Sequence, residues 1–76
     1  MKYVLYEMTE DYDIIIKLSF EEESYLKSFI EQHTADKNYE PLFLVLQFDE
    51  NDDIDFVFRY NGKELISKKC LAEYIE

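Results

Sequence analysis

The side chains best equipped for chemistry in this chain are carboxylates, and they are bunched. Asp49, Glu50, Asn51, Asp52, Asp53 and Asp55 place oxygen donors at nearly every position of one short stretch. Glu7, Glu10, Asp11 and Asp13 form a second group, and Glu21, Glu22 and Glu23 a third. Oxygens at 49, 51, 53 and 55 match the opening of a calcium-binding loop. The match then fails, because Ile54 stands where glycine is required and Tyr60 where a bidentate Glu is required. The expectation is a solvated acidic turn with no metal. Carboxylates in an irregular row do one other thing well. They pair with Lys and Arg, most strongly where Arg binds bidentately. Such a row can imitate duplex phosphates, which carry about one charge per 1.7 Å of axis. The expected partner-binding residues are Asp49, Glu50, Asp52, Asp53 and Asp55, with Glu10, Asp11 and Asp13 as a second set. The third group is ordinary for a helix start, where the dipole favours anions.

No catalytic set is expected. His33 is the single histidine, and the candidate nucleophiles Cys70, Ser19, Ser24, Ser28 and Ser67 show no spacing typical of nucleophilic catalysis around it. His33 reads as a partly buried helix-end residue. Gly62 is the only glycine, which excludes phosphate-cradling and dinucleotide loops and, with them, a cofactor. Paired acids could serve glycosidic chemistry, but a chain of 76 residues without Trp has little room for a cleft. Cys70, alone, can form no intrachain disulfide and reads as core or interface filler. The chain is therefore not expected to be an enzyme.

Its charge points to a class of partner. Eighteen acidic side chains against 8 basic ones give a net charge of −10. That repels nucleic acid and anionic membranes as direct partners and attracts basic proteins. Seven Tyr and 6 Phe argue for a folded chain, and the length suits a single domain over residues 1–76. No apolar run approaches the roughly 20 residues of a membrane span, and Glu7 comes too early for a signal peptide. A lone thiol fits a reducing compartment, so a cytoplasmic location is expected. Charge, size and aromatic content are similar in kind to small viral inhibitors of host defence enzymes, some of which imitate DNA. That likeness of composition implies an inhibitor of a basic, nucleic-acid-handling enzyme, of the anti-CRISPR or anti-restriction type. The alternatives are a toxin-neutralising immunity protein and a non-inhibitory module or homodimer, joined at an edge near residues 63–66.

The elements that must hold these groups are legible as patterns. Residues 3–8 read as a strand. After a turn, Tyr12, Ile14, Ile16 and Leu18 alternate as the core side of a second. Ser19 with Glu22 makes a capping box, opening a helix whose stripe is Tyr25, Leu26, Phe29, Ile30 and His33. Residues 42–48 form an apolar central strand. Ile54, Phe56, Phe58 and Tyr60 alternate as another, and Asn61-Gly62 suits a type I′ turn into a short strand at 63–66. Ser67 caps a final helix with Leu71, Tyr74 and Ile75 on its apolar face, although Lys68, Lys69, Glu73 and Glu76 all oppose its dipole. Tyr12, Tyr39 and Tyr60 are expected to be partly exposed. The predicted fold is α+β in the order ββαβββα: a mostly antiparallel sheet of four to five strands, one helix across it and a short C-terminal helix.

Overall fold

A computed structural model describes residues 2–35 and 38–70. The elements are β1 (Lys2–Met8), β2 (Ile14–Phe20), α1 (Glu23–Ala35), β3 (Leu42–Phe48), β4 (Ile54–Asn61) and β5 (Glu64–Cys70). The five strands form one antiparallel sheet in the order β2-β1-β3-β4-β5. The α+β reading holds, with the order ββαβββ over the described residues.

Side chains alternate between faces along each strand, so the pairing register sorts them into rows. Under α1 run the rows Phe20–Tyr3–Gln47–Phe56–Cys70, Leu18–Leu5–Val45–Phe58–Lys68 and Ile16–Glu7–Phe43–Tyr60–Leu65. Leu26 and Ile30 drop from the helix onto Leu5, Phe43, Val45, Phe58 and Tyr60 and close the core. Full burial of each such aliphatic contributes about 1.5–3 kcal/mol. Beyond the helix, Lys68 roofs the β4 aromatics, its ammonium 4.7 Å from the Phe56 ring centroid and 5.4 Å from that of Phe58.

The opposite face has no helix among the described residues. Its rows are Ser19–Val4–Leu46–Val57–Lys69 and Lys17–Tyr6–Leu44–Arg59–Ser67. Lys2, Phe48 and Ile54 close one end of it, and Ile14, Met8, Leu42 and Asn61 the other. This is why residues 42–48 lack polar alternation: both sides of β3 meet apolar neighbours.

Several expectations are corrected. β2 continues through Ser19 and Phe20, and α1 begins at Glu23, with the Leu26 amide donating to the Glu22 carbonyl. Ser19 is thus a strand residue opposite Val4, not a cap. Phe20 holds the strand on because it pairs with Tyr3 and packs on Phe29, ring centroids 5.7 Å apart. Tyr12 lies in the turn at φ 67°, outside β2. Because β2 is an edge strand carrying a bulge after its first residues, Ile14 and Ile15 are 61% and 57% exposed instead of joining the core.

The terminal helix is also displaced. Ser67, Lys68, Lys69 and Cys70 continue β5, paired with residues Arg59 to Phe56 of β4. Pairing with β4 satisfies the backbone groups that face it, without setting two lysines at a helix N-terminus. Leu71, Tyr74 and Ile75 lie outside the described residues. The β4–β5 turn is shifted by one residue. Asn61 still pairs with Glu64, so Gly62 and Lys63 are the central pair. Gly62 takes φ +60°, and Asn61 and Lys63 are not among the positive-φ residues, the pattern of type II′ instead of I′. The Gly62 amide donates to the Pro41 carbonyl at 2.7 Å, tying this turn to the segment entering β3. Tyr12 and Tyr39 are exposed as expected, but Tyr60 is buried at 8% because its row ends beneath α1.

Candidate functional site

The acidic stretch at residues 49–53 forms the β3–β4 turn. Its first residue organises the rest: Oδ1 of Asp49 accepts the amides of Asn51 at 2.8 Å and Asp53 at 3.0 Å. The Asp49 amide donates to the Asp53 carbonyl at 2.9 Å. Asp52 adopts φ 62°, a left-handed conformation that Asp tolerates better than most residues. One carboxylate is therefore spent on the backbone, and Glu50, Asp52 and Asp53 stand exposed around it. Asp55 is half-buried where the β3–β4 register slips and leaves it without a partner opposite.

The β1–β2 turn at residues 9–13 repeats this device with different side chains. The Thr9 amide donates to the Asp13 carbonyl at 2.9 Å, and Oγ1 of Thr9 accepts the Asp13 amide at 3.1 Å. Tyr12 holds the left-handed position that Asp52 holds in the other turn. Glu10, Asp11 and Asp13 are exposed.

The pairing register places these two turns at opposite ends of the sheet. Met8 pairs with Leu42 at one end, while Lys2 pairs with Phe48 at the other. The two expected sets therefore do not meet. The group that shares the end of residues 49–55 is Glu21, Glu22 and Glu23, since β2 leaves the sheet there, with Phe20 opposite Tyr3. With strands about 4.8 Å apart, that exit lies about 12 Å across the sheet from the β3–β4 turn. Sequence patterning assigned this trio to helix-start preference alone. Only the order β2-β1-β3-β4 brings it alongside. Glu7, grouped by sequence with the first turn, points inward instead.

Glu7 meets His33. Nε2 of the imidazole lies 2.6 Å from Oε1 of Glu7, and the two side chains are 18% and 3% exposed. The ring stacks on Phe29, centroids 5.0 Å apart, and tilts against Phe43. The pair joins the last turn of α1 to β1 and resembles structural glue more than a reaction centre. Ser19 and Ser67 sit on the far face of the sheet from it, and Cys70 lies opposite Phe56.

On the other flank of α1, Lys27 and Glu23 form an ion pair at 3.2 Å. Burial pushes the phenols of Tyr3 and Tyr60 above their ordinary value, and the Glu23 carboxylate adds to both shifts. Lys27 is raised chiefly by its hydrogen bond to Glu23. No described helix is long and apolar enough to cross a membrane. No family model, curated protein or solved structure matches the chain.

Proposed function

We propose that this chain is a small, non-enzymatic acidic protein of the cytoplasm that binds and inhibits a basic, nucleic-acid-handling target, in the manner of a phage anti-CRISPR or anti-restriction protein. The observation that supports the reading is the gathering of Glu50, Asp52 and Asp53 with Glu21, Glu22 and Glu23 at one end of the sheet. Carboxylates on a hairpin pinned by Asp49 lose little freedom on binding, so their charge-assisted bonds to Lys and Arg are better spent. Glu10, Asp11 and Asp13 belong to the opposite end, where Glu40 and Glu64 are exposed as well.

The test is capture from a host lysate at low salt, followed by a salt wash and mass spectrometry. A nucleic-acid enzyme should be retained and then released as salt rises, because exposed charge pairs are screened. A Glu50→Gln/Asp52→Asn/Asp53→Asn variant should lose it, and a Glu10→Gln/Asp11→Asn/Asp13→Asn variant should lose less. Retention that ignores both salt and the first variant refutes the proposal.

A second reading has its own support. Leu65 and Ile66 are exposed on β5, an edge strand of the sheet among the described residues, where a second copy could add its own strand. Light scattering across concentration distinguishes a homodimer from a monomer.

A further inference from the structure

Among the described residues the sheet ends at β2, and apolar side chains that the core leaves out gather along that edge. Ile14, Ile15 and Leu18 of the strand are exposed. Tyr25 joins them from α1. It lies one helical turn before Phe29, on the flank of the helix that packs on Phe20, and it is 63% exposed. The stretch 71–76 follows β5, at the other edge. Fully extended it spans at most about 22 Å, short of the about 24 Å that five strand spacings put between β5 and the outer side of β2.

Along an edge strand, alternate residues turn their N–H and C=O groups outward. The bulge at Ile15 interrupts the ladder with β1, so the regular outward row runs over residues Ile16–Phe20. Edges are commonly guarded by lysine. Lys17 is the only lysine of β2, and its ammonium is drawn back over the Tyr6 ring on the neighbouring strand, 5.9 Å from the centroid.

Charge at the two ends of β2 selects the occupant. Glu10, Asp11 and Asp13 stand exposed before the strand, and Glu21, Glu22 and Glu23 after it. A second copy paired antiparallel over Ile16–Phe20 would bring the first group of each chain against the second group of the other. A parallel copy would bring each group against itself. A strand with cations at both ends meets opposite charge in either direction. Beside Ile15, a cleft of about 370 Å³ supplies a seat for one such cation. Met8, Ile15 and Leu42 can take the aliphatic stem of Lys or Arg, and Glu10 and Glu40 its charged head.

We propose that β2 accepts an extended segment of a partner protein as an added strand. The segment has about five residues with β-branched or aromatic side chains at alternate positions, flanked at each end by Lys or Arg. Main-chain bonds to Ile16–Phe20 hold it. Its apolar side chains cover Leu18 and Tyr25 on the helix face, and its flanking cations meet the two acidic groups. The surface shares Glu21, Glu22 and Glu23 with the anionic end of the sheet, but it does not use the β3–β4 turn and does not rest on the function proposed above.

The probe is a fluorescein-labelled peptide of about nine residues, with Val and Thr alternating over the centre and Lys pairs at both ends. It is titrated with the full chain at low salt and followed by anisotropy, and saturable binding is expected. Two further peptides carry N-methyl groups on alternate central amides, one on the odd set and one on the even. An added strand bonds its neighbour through one set only. One methylated peptide should therefore bind like the parent, and the other should lose about ten-fold or more. This comparison leaves the protein unaltered. Ile15→Lys/Leu18→Lys, at exposed positions, should weaken the parent peptide about ten-fold. Asp52→Asn/Asp53→Asn should leave its affinity within about two-fold, which separates this surface from the β3–β4 turn. A peptide with Glu in place of every Lys should not bind. Absence of saturable binding, equal behaviour of the two methylated peptides, or equal binding of the Glu-flanked peptide would each overturn the proposal. So would equal losses in the two protein variants, or a dimer of the chain that Ile15→Lys/Leu18→Lys dissolves.

Discussion

Replacing His33 by Phe isolates one interaction at the helix–sheet boundary. Phe keeps the stack on Phe29 and the contact with Phe43, but it cannot hydrogen-bond to Glu7. The Glu7 carboxyl, 3% exposed, then loses its bond to His33 while its neighbours stay apolar. Leaving a buried hydrogen-bonding group unsatisfied costs about 1–3 kcal/mol, and the upper figure suits Glu7, which is almost fully enclosed. A domain of this length has a total stability of about 4–11 kcal/mol, so a loss of about 3 kcal/mol is severe. With a urea slope of about 1 kcal/mol per M, the unfolding midpoint should fall by about 3 M. Glu7→Leu/His33→Phe replaces both polar groups by apolar ones and should return to within about 1 kcal/mol of the parent. The assay is urea unfolding by circular dichroism, with both single variants and the double variant in one thermodynamic cycle. A His33→Phe midpoint within about 0.5 M of the parent would refute the reasoning. So would a double variant as unstable as the single.

Two other outcomes follow from the core and from the β4–β5 turn. The raised phenols of Tyr3 and Tyr60 add stability that is complete below their ordinary value of 10.0 and is lost as pH rises through the folded values. Lys27, also raised, shifts stability in the same direction. The urea midpoint should therefore fall with rising pH in the alkaline range, and Tyr3→Phe/Tyr60→Phe should flatten that fall. An unchanged slope counts against it. At Gly62 a Cβ would meet only Glu40 at 3.5 Å, an ordinary contact, so Gly62→Ala should cost about 1–2 kcal/mol through its φ of +60° alone. Thermal unfolding reads this, and Gly62→Asn, which tolerates that φ better, should cost less.

Where the sequence carried both a period and a centre, it was readable. Residues 42–48 and the alternation from Ile54 to Tyr60 are strands of the sheet interior, and their neighbours on both sides supply the burial that the pattern implies. The same logic misled for Tyr12 to Leu18, because a period of two looks alike on an edge and in the middle. Only strand order shows that β2 is paired on one side, leaving Ile14 exposed. Ser19 with Glu22 has the form of a cap, but a cap competes with whatever Phe20 can bury, and Phe20 found Phe29. The anionic turn was visible residue by residue. Its companionship with Glu21, Glu22 and Glu23, and its separation from Glu10, Asp11 and Asp13, depend on pairings between positions as distant as 2 and 48. Glu7 shows the limit most clearly. Nothing near it in the chain foretells burial, because His33 comes from the far end of the helix.

The placement of β1 between β2 and β3 has a kinetic consequence. The hairpin β1–β2 and the meander β3–β4–β5 are each stitched by neighbours in sequence, through short turns, and those at 9–13 and 49–53 carry their own backbone hydrogen bonds. Each can form early and cheaply, since short loops close fast. The seam between them joins Lys2 to Phe48 and must await the intervening helix. The topology therefore leads to the expectation that the two ribbons form first and dock along that seam, with the barrier there. Substitutions in the distal β4–β5 ribbon, formed before that barrier, should change how quickly the chain reaches its native state, whereas those that touch seam contacts completed after it should change how quickly it leaves.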